Sequence, residues 1–307
     1  MNEMDPALWQ QRFAQDPQVL SLSPRSLARY HYEIPKMLEH WRSQGLKSLG
    51  ALTAQHLKAY WLHLYTVQDR RQKKLSNANL RGRLGAALGF VRFLVRNDFL
   101  LIDVSRGLKL PKKARTLPRV ILSEGETLRL LEGPSDQTPL EIRDRALLEL
   151  FYGTGLRNSE LRVLKLSELD WARHLLFVAE GKGRKQRWVP MGEEAEAWLQ
   201  EYLARGRPAL ARGHEETLFL SRTGRPLGVS QLAEIVARWG KRVGLEKHVT
   251  PHCLRHSCAT HMLKRGANLK HLQTLLGHES IQTTQGYTRV ELSELRQVLR
   301  RCHPRER

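Results

Sequence analysis

Four side chains that could take part in a chemical reaction lie close together in residues 250–289, TPHCLRHSCATHMLKRGANLKHLQTLLGHESIQTTQGYTR. They are His252, Arg255, His278 and Tyr287. A tyrosine hydroxyl can attack as a nucleophile, and an arginine fork can hold phosphoryl oxygens without losing its proton. Histidine can donate to the phosphate or move a proton. The set indicates transfer of a phosphoryl group to tyrosine, and no part of it requires a metal.

Two further cations elsewhere in the chain fit the same chemistry. Arg157 follows a GTG tripeptide at a predicted helix start, where backbone N–H groups add to the positive field. Lys182 lies at the tip of a predicted hairpin, GKGRK, and could protonate a leaving oxygen. Cutting a phosphodiester without metal needs a nucleophile, cations for the phosphoryl oxygens and an acid. Tyr287, the two arginines and Lys182 offer these three roles.

Each residue also has a structural interpretation. A lone tyrosine is more often structural than catalytic. The GKG tripeptide is usually a plain hairpin, and the GxxxxGK[ST] spacing of a P-loop is missing. Arg157 could bind phosphate at a helix start or simply pair with Glu160. The functional interpretation therefore depends on the ordered set and not on any one member.

The histidines of HCLRHSCATH allow a core or a zinc-binding interpretation as well. His252 and His256 have i, i+4 spacing, and Cys253, Cys258 and His261 lie near them. These side chains point around the whole helix, and no second Cys/His group elsewhere would complete a tetrahedral site. We therefore expect no metal and no cofactor.

The chain of 307 residues carries 51 Lys and Arg against 31 Asp and Glu, a net charge of +20. Residues 1–117 hold 20 basic against 8 acidic residues, and the remainder holds 31 against 23. Such an excess indicates a polyanionic partner, most often nucleic acid, because each neutralised phosphate releases a counterion. A ribosome-associated or merely cationic protein is the alternative.

Three cysteines, an odd number in a long chain, suggest no disulfide framework. The first residues, MNEMDPALW, are acidic and polar, unlike a signal peptide, and no run of about 18 apolar residues predicts a membrane span. We expect a cytoplasmic, nucleoid-associated protein without membrane contact.

The first hundred residues predict a small basic helical bundle. Residues 1–22 are polar and predict a loose segment or a short helix. Apolar spacing predicts three longer helices. The first covers residues 24–45, the second begins after an N-cap at Thr53, and the third covers residues 76–97. Pro35 should kink or split the first of these. Two prolines and five basic residues predict an extended linker over 108–119.

A second domain with both helices and strands should follow. A Ser-Glu-Gly-Glu capping box opens a helix at Ser123, and an apolar core helix is predicted over 140–152. Asn158 or Ser159 is expected to cap the next helix. The later elements are predicted as strands at 170–171, 175–178, 186–190 and 217–220 and as helices at 193–203 and 230–243.

The stretch of residues 250–289 should fold into short helices. Thr250 is a good N-cap with Pro251 at the first helical position, and Gly266 should stop this helix. A second helix should end at Gly277. Residues 280–285 predict another helical turn, and 292–299 predict a final amphipathic helix followed by a polar tail.

Four blocks in this order resemble the tyrosine recombinase (integrase) family, and Xer-type recombinases are its most similar members. The blocks are GTGLRNSELRVLKLSELDW, GKGRKQRWVPM, TPHCLRHSCATHML and LLGHESIQTTQGYT. The resemblance covers residues from about 117 to 287, and it is weaker over SPRSLARY, residues 75–100 and the linker. It implies a mainly α fold with a small antiparallel β-sheet (α+β), arranged as a two-domain DNA clamp. A SAM-like helical bundle (1–107), a linker (108–119) and a catalytic domain with a C-terminal docking helix (120–307) are expected.

The resemblance also implies a role for each candidate residue. Arg157, Arg255 and His278 would hold the scissile phosphate, and Lys182 would protonate the 5′-hydroxyl. The HxxR histidine, His252, would help to activate the nucleophile Tyr287. The product would be a 3′-phosphotyrosyl bond, which a 5′-hydroxyl of a partner duplex attacks, so strands exchange through a Holliday junction without metal or ATP.

The resemblance implies partners as well as chemistry. The first partner is double-stranded DNA with a specific recombination site. The chain would act on it as a homo- or heterotetramer joined by the C-terminal helix, and whether accessory proteins take part is left open. Further phosphate contacts are expected from Lys112, Lys113, Arg184 and Lys185. Arg289 stands where Xer-type proteins usually have histidine, which leaves a chromosomal, plasmid, phage or transposon role open. A DNA-binding regulator without turnover and a metal-dependent nuclease are the alternatives.

Overall fold

The computed structural model describes residues 4–22, 24–68, 72–112, 120–179, 186–277 and 289–306. Most of these residues lie in helices, and one small antiparallel sheet accompanies them, which confirms the expected fold class. Contacts divide the chain into two units, Met1–Thr116 and Leu117–Arg307. The predicted linker lies only partly within the described residues, and its bounds stay a prediction.

Helices are the main regular structure in the described residues of the first unit, which also contain an isolated bridge between Gln68 and Lys74. Its helices are α1 (Pro6–Gln15), α2 (Pro17–Leu20), α3 (Pro24–Ser43), α4 (Ala54–Thr66) and α5 (Asn77–Arg96). Two helices form in residues 1–22 because Asp5 and Asp16 accept hydrogen bonds from the first turns. Trp9 and Phe13 bury their rings against Phe90. Pro35 does not split α3, which continues past it as one helix.

The second unit holds the remaining helices and the sheet. The helices are α6 (Glu124–Leu131), α7 (Pro139–Thr154), α8 (Asn158–Val163), α9 (Glu193–Glu201), α10 (Arg207–Leu210), α11 (Gln231–Arg242), α12 (Pro251–Lys264), α13 (Leu269–Leu276) and α14 (Arg289–Cys302). The predicted capping box forms, since Ser123 and Glu126 bond to each other's backbone N–H. α7 runs through the core of this unit and ends beside the candidate site.

The sheet contains β1 (Leu169–Asp170), β2 (Leu175–Val178) and β3 (Arg187–Pro190) in that order. Val178 pairs with Arg187 and Leu175 with Pro190, so β2 and β3 flank the segment that carries Lys182. The strand predicted at 217–220 is wrong, because Thr217 and Leu220 each form only an isolated bridge. That run of consecutive apolar residues fills the core instead of alternating between two faces.

The C-terminal helix is longer than its apolar spacing indicates. α14 begins three residues before the predicted helix and ends three residues after it, and its Leu295 and Leu299 are buried. The predicted polar tail begins later than expected and is packed on its own unit, because Cys302 and His303 are buried and Arg305 forms a paired contact with buried Glu149 at 2.7 and 3.1 Å. Polar residues of the tail thus form ionic contacts that anchor the tail on its own unit.

No helix within the described ranges combines the length and the apolar character that crossing a lipid bilayer requires.

Replacement of Leu299 by Ala should lower the free energy of unfolding of the second unit by about 3 kcal/mol, because a fully buried side chain leaves a cavity. Leu263→Ala, at a side chain that is 43% exposed, should lower it by less than about 1 kcal/mol. Urea unfolding at two protein concentrations measures both values. Equal losses for the two variants would contradict the packing of α14 on its own unit.

Candidate functional site

Two helices of the second unit end next to each other and build the site. α7 ends at Gly155 (φ +58°) and α13 at Gly277 (φ +65°), both in the left-handed conformation that glycine adopts without strain. The two ends are adjacent, since a Cβ added to Gly155 would lie 2.7 Å from Leu276 Cδ2. Carbonyl groups at helix C-termini carry partial negative charge, so this junction attracts cations.

Arg157 occupies one side of this junction. Its Nη1 donates to Glu160 Oε1 at 2.7 Å, and its Nη2 donates to the carbonyl of Gly277. Its backbone N–H donates to Glu160 Oε2 at 2.8 Å, which makes Arg157 itself the N-cap residue of α8. The prediction of a cap at Asn158 or Ser159 is therefore wrong. The side chain is 21% exposed, and these bonds use two of its five N–H donors.

Arg255 reaches the same junction from α12. Thr250 caps this helix and Pro251 opens it, as predicted, which places Arg255 in the second turn. Its Nη1 donates to the carbonyl of Gly155, and its Nη2 donates to that of Leu276 at 2.6 Å. Burial, followed by the charge of Arg157, lowers the pKa of Arg255 to about 10. The guanidinium therefore stays charged at neutral pH.

The structure thus brings together two arginines that lie almost a hundred residues apart in the sequence. Arg157 and Arg255 bond to the carbonyls of two consecutive residues, Gly277 and Leu276. Two guanidinium groups side by side can share the charge of one phosphate between paired hydrogen bonds. Their proximity, together with donors left over on each fork, makes this junction a candidate phosphate site.

A third arginine, Arg187 on β3, belongs to this cluster and is missed by the sequence analysis. Its two terminal nitrogens donate to the two carboxylate oxygens of Glu160 at 2.9 and 2.8 Å, and the residue is 5% exposed. The available signal is a charged residue at a position of β3 that faces the core. Its partner, however, lies 27 residues earlier, and no local pattern connects the two.

Glu160 sits between Arg157 and Arg187 as the buried anion of the cluster. Burial by itself would raise the pKa of this carboxyl group, but hydrogen bonds and charge from Arg187, with those from Arg157, outweigh it and lower the pKa to about 2. Glu160 is therefore ionised across the neutral range. The alternative that Arg157 pairs with Glu160 is correct, and it leaves donors of Arg157 for a further ligand.

His252 lies one helical turn before Arg255 on α12 and is exposed. Both residues line an open groove of about 640 Å³ between α12 and α13, with apolar walls from residues such as Leu269 and Leu272. A histidine at the rim of this groove can reach a ligand held by Arg255. The geometry thus places two of the predicted residues on one accessible face.

The zinc interpretation loses two of its ligands in the structure. His261 is buried with both ring nitrogens occupied, Nδ1 by the hydroxyl of Tyr152 and Nε2 by the carbonyl of Leu122, each at 2.8 Å. Cys258 is fully buried, and burial raises the pKa of its thiol to about 12. Within the described ranges, no group of three or more His, Cys, Asp or Glu side chains could hold a metal ion. His261 and Cys258 are core residues.

Several predicted residues lie outside the described residues. They are Lys182, His278 and Tyr287 of the catalytic set and Lys113, Arg184 and Lys185 of the predicted phosphate contacts. Lys112 is described in the first unit, where it is exposed and its carbonyl accepts from Asn77 Nδ2 at 3.0 Å. Its role at phosphate stays a prediction.

Comparison with known proteins identifies the family. The phage integrase family matches residues 121–294. The chain is 37% identical over 287 residues to tyrosine recombinase XerD of Corynebacterium glutamicum, covering 92% of this chain and 93% of that protein. It is 38% identical over 261 residues to tyrosine recombinase XerC 2 of Ralstonia nicotianae, covering 85% and 75%. The chain therefore belongs to the phage integrase family and is a tyrosine recombinase, the class of enzyme that its motifs indicate.

Solved structures share the fold. The XerH recombinase bound to its difH substrate superposes with a TM-score of 0.66 at 20% identity, covering 98% of this chain and 82% of that one. A lambda integrase dimer bound to a core site superposes with a TM-score of 0.63 at 21% identity, covering 91% and 98%. At this identity the likeness supports the architecture, which agrees with the family assignment.

Acid should weaken the second unit through Glu160. The pKa of this group is lower in the folded protein (about 2) than its ordinary value of 4.5, so its stabilisation is complete above pH 5 and is lost as the pH falls toward 2. Between pH 5 and pH 3 the loss should be about 2 kcal/mol. Urea unfolding should show this extra pH dependence in the natural protein and not in Glu160→Gln. Parallel curves for the two proteins would rule out the assigned charge state.

Replacement of Gly277 by Ala should destabilise the protein more than the same change at Gly266. Both glycines have positive φ, which strains an alanine by about 1–2 kcal/mol. A Cβ at Gly277 would also lie 3.0 Å from the guanidinium of Arg187, whereas nothing lies within 4 Å at Gly266. Crowding should add about 1–3 kcal/mol at Gly277, measured by urea unfolding. Equal effects would show that Arg187 can move aside without loss.

Proposed function

We propose that this chain cleaves and rejoins DNA at a specific site through a 3′-phosphotyrosyl bond at Tyr287 and exchanges strands through a Holliday junction. The observation that carries the proposal is the convergence of Arg157 and Arg255 on adjacent carbonyls, with donors on both guanidinium groups that no described residue occupies. Family membership supplies the reaction class.

The charge of the cluster suits a phosphodiester. Arg157 and Arg187 bond to the Glu160 carboxylate, and Arg255 lies close to them, so these four described residues carry an excess of two positive charges before DNA binds. A half-buried cluster of this kind holds an anion more strongly than exposed lysines do, because the local dielectric constant is lower. The scissile phosphate carries one negative charge in the ground state and gains charge on its oxygens during transfer.

We assign the roles by family resemblance, and the placement of Arg157 and Arg255 supports two of them. The hydroxyl oxygen of Tyr287 attacks phosphorus, the bond from phosphorus to the 5′-oxygen breaks, and Lys182 gives that oxygen a proton. Arg157 and Arg255 hold the non-bridging oxygens with His278, and His252 assists the departure of the tyrosine proton. A 5′-hydroxyl of the second duplex then attacks the phosphotyrosyl bond and releases Tyr287. Because that bond keeps the energy of the phosphodiester, the two steps need no external energy source.

DNA binding by the whole chain follows from relatives and from charge. XerH has been solved with its difH substrate, and lambda integrase as a tetramer on a Holliday junction. By analogy, we assign this chain a tetramer on two DNA sites, acting at the nucleoid, with α14 as the contact between copies. Leu295 and Leu299 of α14 are buried in their own unit here. A contact with a neighbour therefore requires this helix to leave its own unit or to use its outer face.

The test uses nicked, labelled duplexes that tile the DNA flanking this gene, incubated with protein in EDTA and separated on a denaturing gel. We expect a slow, protease-sensitive band with the natural protein and with Tyr65→Phe, a control at an exposed tyrosine of the first unit. Tyr287→Phe should abolish the band, and Arg255→Gln should lower its rate of formation at least about a hundredfold. Unchanged cleavage by Tyr287→Phe would refute the mechanism. Specific binding without any covalent band in the natural protein would favour a regulator.

A further inference from the structure

Arg187 connects three segments of the candidate site. It lies on β3, directly after the segment with Lys182, and its paired hydrogen bonds reach Glu160 on α8. On its other side, the guanidinium packs against Gly277 so closely that a Cβ there would meet Cζ and Nη1 at 3.0 Å and Nε at 3.1 Å. A movement of Arg187 would therefore be transmitted to the start of α8 and to the end of α13.

Glu160 would act differently on Arg157 if Arg187 were absent. At present the carboxylate divides its hydrogen bonds between the backbone and side chain of Arg157 and the two terminal nitrogens of Arg187. Without Arg187, the full negative charge of a buried carboxylate would face Arg157 alone. The excess of positive charge in the cluster would fall from two to one, and Arg157 would be held to Glu160 more firmly.

We propose that Arg187 is a positioning residue for strand cleavage, which shares the Glu160 carboxylate so that Arg157 keeps its charge and orientation for the scissile phosphate. The inference rests on the proposed function and adds a residue to it. Arg187 acts through Glu160, because its own side chain is buried and both of its terminal nitrogens bond to that carboxylate.

The geometry requires arginine and not only a positive charge. The planar fork of Arg187 meets both carboxylate oxygens at once, which fixes the plane of the Glu160 carboxylate. A lysine would supply one charge through a single point and would leave one oxygen to turn. Lysine at this position should therefore restore part of the activity that glutamine loses.

The experiment measures the single-turnover rate of covalent adduct formation at saturating site DNA, with the dissociation constant for the same DNA measured separately on a native gel. Arg187→Gln should lower the rate at least about tenfold while affinity changes less than about threefold. Arg187→Lys should lie between. The double variant Arg187→Gln with Glu160→Gln should cleave faster than Arg187→Gln alone, because removal of the carboxylate restores the charge balance around Arg157.

Arg143→Gln is the matched control. Arg143 is equally buried and bonded to a neighbouring carboxylate, Asp144, but it lies near the start of α7, about 18 Å of helix from Gly155. Its loss should reduce stability without changing the cleavage rate of the folded protein. If Arg187 had a purely structural role, Arg187→Gln would also lose stability without a change in cleavage rate, and the double variant would cleave no faster than Arg187→Gln. Either result would overturn the inference. Cleavage by the natural protein in the same experiment would still support the proposed function. Absence of the adduct in the natural protein would overturn both.

Discussion

The carboxylate of Glu160 holds the arginine cluster of the site together. It is a buried anion that accepts from Arg157 on one side and from Arg187 on the other, and these bonds keep it ionised against the effect of burial. A buried cation needs such a partner, because an unpaired charge in the interior is destabilising by several kcal/mol. One carboxylate between two guanidinium groups satisfies this need and still leaves net positive charge. Three like charges can therefore remain close together before any DNA arrives.

Helix ends provide the second half of the arrangement. α7 and α13 both end in left-handed glycines, and their last carbonyls accept from Arg157 and Arg255. These carbonyls orient the two forks and add negative potential that moderates the repulsion between them. The same glycines allow the close approach, because a side chain at Gly277 would displace Arg187. The ends of two helices, the charges of the arginines and the close packing at Gly277 thus meet at one junction.

Local signals in the sequence predicted much of this arrangement, whereas contacts between residues that are distant in sequence were not predicted. Thr250 and Gly277 mark the bounds of their helices through capping chemistry, which acts within a few residues, and both predictions are confirmed. Arg187 was missed because its partner is distant in sequence, and only the folded sheet places it against α8. The strand at 217–220 failed because an apolar run fits a buried loop as well as a strand. The roles of the catalytic residues were implied by family resemblance and remain proposals.

A structure of the Tyr287→Phe protein bound to uncleaved site DNA would test the phosphate site at Arg157 and Arg255 directly. Non-bridging oxygens of the scissile phosphate should lie within about 2.7–2.9 Å of guanidinium nitrogens of both Arg157 and Arg255. Glu160 should remain between Arg157 and Arg187 in that complex. A scissile phosphate held elsewhere, with both guanidinium groups still bonded only to helix-end carbonyls and Glu160, would contradict the proposed phosphate site.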